Sequence, residues 1–185
     1  MSSSQPFETI SSHTAWSCPW YRIRQDQFLT PDGTLGTYNI VEKEAAVWIV
    51  PVTIDHEIVL IKHYRYTVNN WCFEVPAGSV KDSQTLEEAA LDELREEIGG
   101  LQANLEYIGQ MYTANGICNE IGHIYLATGV VLGPTEHEPA EIIEIHLKTI
   151  PDVLAMARAN EITDGISALS ILLCSSRLEA LVDSN

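Results

Sequence analysis

At 185 residues with 45% apolar side chains, the chain can build one domain with a full core, and a small appended subdomain also fits. Ten basic against 26 acidic side chains give a formal net charge of −16, which argues against a phosphate-backbone binder, since nucleic-acid affinity rests on basic patches. The N-terminal MSSSQPFETISSHTA is polar, no run approaches about 18 apolar residues, and Cys18, Cys72, Cys118 and Cys174 form no C-x-x-C pair. A cytoplasmic protein with reduced thiols and no membrane segment is expected, not a zinc or disulfide scaffold.

Residues up to about Ser12 read as a loosely tethered terminus. YRIRQDQFL and GTYNIVEKE read as two strands joined by the turn Thr30-Pro31-Asp32-Gly33. Trp16, Trp20 and Tyr21 read as packing residues, with stacking on a base as the alternative. AAVWIVPVT and EIVLIKHYR follow around Asp55-His56, apolar enough to be central strands, and Pro51 moves the end of the first toward a bulge or edge. Arg65 closes the second; a lone arginine there is ordinarily a surface residue.

After WCFEVPA, Gly78 and the polar SVKDSQ lead into a helix. Thr85 and Glu88 have capping-box spacing at its start, and Gly99-Gly100 supply a left-handed stop. Ala90, Leu91, Leu94 and Ile98 share an apolar arc, while Glu93, Glu96 and Glu97 converge on another face. Like charges at i, i+4 cost about 0.2–0.5 kcal/mol per pair, and negative charge near a helix C-terminus costs about 0.3–1 kcal/mol more. Arg95 is the one basic side chain of the helix, and Asp92 is placed to occupy it, so the glutamates are expected to lack an internal counter-charge. A divalent cation of the Mg²⁺ or Mn²⁺ kind would supply one; a solvated acidic face is the alternative.

NLEYIGQMYT and GHIYLATGVV read as strands separated by ANGICNEI. Glu136, Glu138, Glu141 and Glu144 make a second acidic stretch before the strand IIEIHLKTI. Pro151 opens the helix PDVLAMARANE, and DGISALSILLCSSRLEALV reads as one terminal helix. His13, His56, His63, His123, His137 and His146 show no ligand spacing. Strands interleaved with helices imply an α/β fold, a mixed sheet covered on both faces.

Gly78 to Leu101 resembles the Nudix box, G-x5-E-x7-R-E-U-x-E-E-x-G-U with U apolar. Gly78, Glu93, Leu94, Glu96, Glu97 and Gly99 match in register, and the last U falls on Gly100 with Leu101 next. WCFEVPAG is similar to the W-x-x-E-L-P-A-G of the branch that hydrolyses ADP-ribose and related sugar nucleotides. PWYRIRQDQFLTPDG resembles the N-terminal hairpin of the same branch. The resemblance implies a Nudix-type α/β/α sandwich over residues 45–185 and a small antiparallel β subdomain over 1–44 that pairs a homodimer. It also implies that the Ala77 carbonyl with Glu93, Glu96 and Glu97 holds Mg²⁺ or Mn²⁺. Arg65 falls on an arginine that holds substrate, and Glu74 on a glutamate placed to contact the nucleoside or ribose. Relatives carry P-S-P-G-x-S-x-E where this chain has T-A-N-G-I-C-N-E; Gly116 and Glu120 match, which makes Glu120 the first candidate general base and Glu97 the second. An acidic residue of the 136–144 stretch can complete such a site, a solvated loop being the alternative.

Two box positions depart from the pattern, Gln84 for its first glutamate and Asp92 for its arginine. In the family these brace the loop against the helix. Gln84 can donate its amide to Asp92, so the brace is exchanged and not orphaned. The expected reaction is metal-dependent hydrolysis of a nucleoside diphosphate sugar, ADP-ribose to AMP and ribose 5-phosphate. The alternatives are a Nudix hydrolase of nucleoside triphosphates or dinucleoside polyphosphates, and a non-catalytic nucleotide-binding module.

Overall fold

A computed structural model of the chain describes residues 5–137 and 142–183. Two compact units emerge: one runs to Ala45 and takes in Tyr112–Ile121, and the other comprises Ala46–Met111 and the chain from Gly122 onward.

The first unit is an antiparallel sheet of β1 (Glu8–Ser17), β2 (Arg22–Leu29) and β3 (Leu35–Glu42), in that order. The β2–β3 turn closes where Gly33 takes φ +83° and donates to the Thr30 carbonyl at 2.9 Å. Residues 1–4 lie outside the described residues; from Glu8 to Ser12, strand β1 corrects the expectation of a loose terminus. It pairs with β2 from Glu8↔Leu29 to Ser17↔Arg22 across two bulges, Thr9/Ser11 and Thr14/Trp16. Both of its faces are exposed, so its residues carry no apolar alternation to mark a strand; backbone pairing forms it. The Tyr112–Ile121 segment joins this unit through β3. Val41 N–H donates to the Ile117 carbonyl (2.8 Å), Asn119 N–H to the Val41 carbonyl (3.1 Å) and the Tyr38 hydroxyl to the Gly116 carbonyl (2.6 Å).

The second unit holds a seven-stranded mixed sheet ordered β10-β5-β4-β9-β8, with β6 on β5 and β7 on β4. Its strands are β4 (Ala46–Thr53), β5 (Glu57–Arg65), β6 (Asn70–Glu74), β7 (Ala77–Ser79), β8 (Gly100–Tyr112), β9 (Ile121–Leu132) and β10 (Ile143–Thr149). Strands β4 and β9 run parallel, while β5 pairs antiparallel with β4, β6 and β10. The apolar run of β4 splits by alternation. Val47 and Ile49 pack with Tyr125, Ala127 and α1 (Leu86–Ile98) on one face. Val50 and Val52 pack on the other face with α2 (Ile150–Arg158), α3 (Gly165–Leu173) and α4 (Ser175–Asp183).

Pro51 stands in a central strand without loss. Ile49 N–H reaches the Pro76 carbonyl at 2.9 Å, so position 51 faces the same edge, where β7 has ended and β5 joins only at Val52↔Ile58. The register slips one residue later, between Val52 and Thr53. Helix α1 buries Ala89, Ala90, Leu94 and Ile98; Leu91, expected on that arc, is 44% exposed, and Ala89 takes its place. The expected single terminal helix is two. It bends by 52° at Cys174, which keeps Ile171, Cys174 and Leu178 in one buried stripe while the chain follows the sheet. Among the described residues no single helix is long and apolar enough to cross a membrane.

Candidate active site

Helix α1 is fastened at both ends. Thr85 Oγ1 accepts from Glu88 N–H (3.2 Å) while Glu88 Oε2 accepts from Thr85 N–H (2.8 Å), the reciprocal capping box that the spacing predicts. At the other end Gly99 takes φ +68° and donates to the Arg95 carbonyl at 3.1 Å. The segment after β9 then satisfies the last carbonyls of the helix. Glu136 N–H reaches the Glu96 carbonyl (2.8 Å), His137 Nε2 the Glu97 carbonyl (2.7 Å) and Gly133 N–H the Gly99 carbonyl (2.7 Å). Sequence reasoning missed these supports, because a lone histidine without ligand spacing carries no local mark.

The three box glutamates have different surroundings. Glu97 is 4% exposed, and its Oε2 accepts Ala77 N–H at 3.1 Å. The Glu93 carboxylate lies over Gly78 so closely that a Cβ added to Gly78 would occupy its place. Glu96 turns toward two cations, with Oε1 3.7 Å from Lys81 Nζ and 3.5 Å from Arg95 Nη2. The expectation that the glutamates lack an internal counter-charge is therefore corrected for Glu96. Asp92 does hold Arg95, at 2.8 Å, but Nη2 of the same guanidinium approaches Glu96 as well, at 3.5 Å. Among the described residues no three His, Cys, Asp or Glu side chains are arranged as a metal cluster. The donor chemistry, carboxylates and a backbone carbonyl, still suits a hard divalent cation, and Gly78 leaves the space in which Glu93 and Glu97 meet β7.

The exchanged brace is formed. Gln84 Nε2 donates to Asp92 Oδ2 at 2.8 Å, and Gln84 Oε1 accepts Lys81 N–H at 3.0 Å, tying the loop to the helix at both ends of one amide.

Arg65 and Glu74, each predicted to meet substrate, meet each other. Arg65 Nε donates to Glu74 Oε1 (2.8 Å) and Nη2 to Oε2 (2.5 Å), a two-point pair between β5 and β6. The hydrogen bond to Glu74 raises the guanidinium pKa above its ordinary value against the opposing effect of burial, and the Glu97 and Asp164 carboxylates add to the rise. Asp164 caps α3 by accepting Ser167 N–H (2.8 Å), and Ser167 Oγ accepts Val75 N–H (3.1 Å), which fixes the backbone between Glu74 and Ala77. Ser167 has 0% exposure, and nothing in the local sequence distinguishes it from a surface serine.

Glu120 stands in the other unit, buried, on the Tyr112–Ile121 segment. Thr113 Oγ1 donates to its Oε2 (2.7 Å), its own N–H meets Cys118 Sγ (3.4 Å), and Lys43 Nζ pairs with Oε1. Lys43, placed there by its backbone hydrogen bond to Asn119 Oδ1 (3.0 Å), was not singled out by its sequence context. Of the second acidic stretch, Glu138 and Glu141 lie outside the described residues. Glu136 Oε2 is 4.0 Å from Arg95 Nε, and Glu144 stands 3.9 Å from Lys62 and 3.3 Å from His146.

A helix carrying E-L-x-E-E against a G-S strand, inside a mixed sheet covered on both faces, defines a class. The Nudix domain profile matches residues 42–167, and the chain belongs to the Nudix family, as an enzyme of the pyrophosphohydrolase type in the ADP-ribose pyrophosphatase-like branch. It is 31% identical over 166 residues to the ADP-ribose pyrophosphatase of Bacillus subtilis, spanning 89% of this chain and 90% of that one. It is 30% identical over 169 residues to the ADP-ribose pyrophosphatase of Mycobacterium tuberculosis, spanning 90% and 82%. A crystal structure of an ADP compounds hydrolase shares the fold at a TM-score of 0.82, with 17% identity over 98% of each chain.

Proposed function

We propose that the enzyme hydrolyses the diphosphate linkage of a nucleoside diphosphate sugar, ADP-ribose first among them, to AMP and ribose 5-phosphate. The observation that carries this reading is the gathering, within one unit, of a two-point-held guanidinium at Arg65 with the carboxylates that meet Ala77 and Gly78. The two ADP-ribose pyrophosphatases to which the chain is similar support the substrate class.

Glu74 engages Nε and Nη2 of Arg65, which orients the guanidinium and leaves Nη1 to donate to a diphosphate oxygen. Glu74 thus acts on substrate through Arg65. The Ala77 carbonyl, Glu93, Glu96 and Glu97 are the groups that would hold Mg²⁺ or Mn²⁺, which when bound sets positive charge against the phosphoryl oxygens. For Glu96 to join them, the cation would share its carboxylate with Lys81 and Arg95 or displace them. In the hydrolysis a water oxygen bonds to one phosphorus, the bond from that phosphorus to the bridging oxygen breaks, and a carboxylate takes the water's proton. Glu120, oriented by Thr113 and Lys43, is proposed for that proton, with Glu97 second. A homodimer through the N-terminal subdomain is proposed as well; among the described residues β1 is an edge strand, with Ile10 and Trp16 exposed. Light scattering that returns a monomer at micromolar concentration would reject the dimer.

The test is a panel of sugar nucleotides, nucleoside triphosphates and dinucleoside polyphosphates with Mg²⁺ or Mn²⁺, products resolved by chromatography. ADP-ribose is expected to give AMP and ribose 5-phosphate, and a chelator to stop the reaction. Turnover of triphosphates alone would overturn the substrate class; saturable binding without turnover of any compound would overturn the enzymatic reading.

A further inference from the structure

The family pattern places an arginine where this chain has Asp92, and this chain places one three residues on, at Arg95. The loop–helix brace survives that move, and the charge balance survives with it. A Glu–Arg pair sums to zero; so does neutral Gln84 with Asp92 and Arg95. What changes is where the guanidinium stands: it moves from beside Glu93 in sequence to beside Glu96. Asp92 divides its oxygens, Oδ2 accepting Gln84 Nε2 at 2.8 Å and Oδ1 holding Arg95 Nη1 at 2.8 Å. Arg95 Nη2 reaches 3.5 Å from Glu96 Oε1, beyond hydrogen-bond length, and Lys81 Nζ lies 3.7 Å from the same oxygen. One guanidinium is thus shared between a carboxylate that holds it and a carboxylate that it only approaches.

We infer that Asp92 and Arg95 together tune divalent-cation binding at the box: Arg95 competes with the cation for Glu96, and Asp92 restrains Arg95 from closing on that carboxylate. The inference rests on the cation site proposed above and assigns to this chain's own residues a positioning role toward it. The Glu96 carboxylate has room for both, but a guanidinium and a divalent cation drawn to the same group repel one another, so each weakens the other's hold on Glu96. Arg95 is 44% and Glu96 31% exposed at the side chain, so the competition is that of solvent-screened pairs, worth about two- to fivefold in affinity.

The experiment is Mn²⁺ binding to the full chain without substrate, by calorimetry and by the paramagnetic resonance of free Mn²⁺. Thermal melting of each metal-free variant reports folding. Arg95→Gln is expected to tighten binding about two- to fivefold and Asp92→Asn to weaken it by a similar factor. Asn keeps an acceptor for Gln84, so the brace is retained in that variant. The double variant is expected to follow Arg95→Gln, since without the guanidinium there is nothing to restrain. A merely structural brace predicts weaker binding in both single variants, and that result, or no change in Arg95→Gln, would overturn the inference while leaving the cation site standing if Glu97→Gln still weakens binding. Absence of Mn²⁺ binding in the unaltered protein would remove the cation reading itself, and this inference with it.

Discussion

Cutting the Arg65–Glu74 pair from its two sides is expected to have unequal consequences. The Glu74 side chain is 6% exposed and the Arg65 side chain 42%. Arg65→Met strips both charge-assisted donors from a carboxylate that water hardly reaches, whereas Glu74→Gln keeps one acceptor and leaves a guanidinium that water can solvate. Breaking a fully buried pair from one side costs about 3–5 kcal/mol; because Arg65 opens to solvent, we reduce this to about 2 kcal/mol for Arg65→Met. Glu74→Gln is expected to cost about 1 kcal/mol or less. With a urea dependence of about 2 kcal/mol per molar, Arg65→Met should lower the unfolding midpoint by about 1 M and Glu74→Gln by about half that or less. The double variant should be less destabilised than the two singles summed, by about 1 kcal/mol, because no buried charge is left alone. Urea denaturation followed by circular dichroism reads all three. An equal or larger loss in Glu74→Gln, or strict additivity, would refute the reasoning.

The remaining predictions concern the box. Gly78→Ala puts a methyl where the Glu93 carboxylate lies and pushes that flexible end aside, so kcat/KM should fall at least about tenfold with a stability loss of about 1 kcal/mol or less; wild-type kinetics would reject the close approach. Glu97→Gln keeps an acceptor for Ala77 N–H, so urea unfolding should move by less than about 1 kcal/mol while kcat drops about 100-fold or more in steady-state assays. The exchange Gln84→Glu with Asp92→Arg should be less destabilising than its two single changes summed, by about 0.5–2 kcal/mol in a double-mutant cycle; additive effects would show that the two positions do not act as a brace.

Local features were legible in the sequence. Thr85, Glu88 and Gly99 announce both ends of α1 because caps are decided by residues three or four apart, and the Gln84–Asp92 bond was legible only through the resembled box, which pairs those two positions. Contacts set by tertiary packing were not. Arg65 faces Asn70 in the β5–β6 ladder while Glu74 faces Ile61, so side-chain lean and not register joins them. Strand β1 lacks an apolar face, and Leu91 satisfies helical periodicity yet lies off the sheet. Lys43 reaches Glu120 only because the 112–121 segment returns to β3. The missed counter-charge at Glu96 has the same origin: Asp92 was read as consuming Arg95, but a guanidinium has two ends.

That last point changes how the acidic helix relates to folding. Like charges at i, i+4 near a helix C-terminus invite the conclusion that a cation is needed to hold the helix together. Here each carboxylate has its own accommodation: Glu97 takes the Ala77 amide, Glu93 lies over Gly78, and Glu96 faces Lys81 and Arg95. The capped ends and the buried Ala89, Ala90, Leu94 and Ile98 hold α1 independently of any ion. A cation bound at these acids would then add stability only by mass action, about 2.7 kcal/mol at a hundredfold excess over Kd, and would not be a condition for the fold. A chelator should therefore stop turnover while leaving the metal-free melt cooperative, and a chelated protein that unfolds would mean that the acids of α1 need the ion to remain a helix.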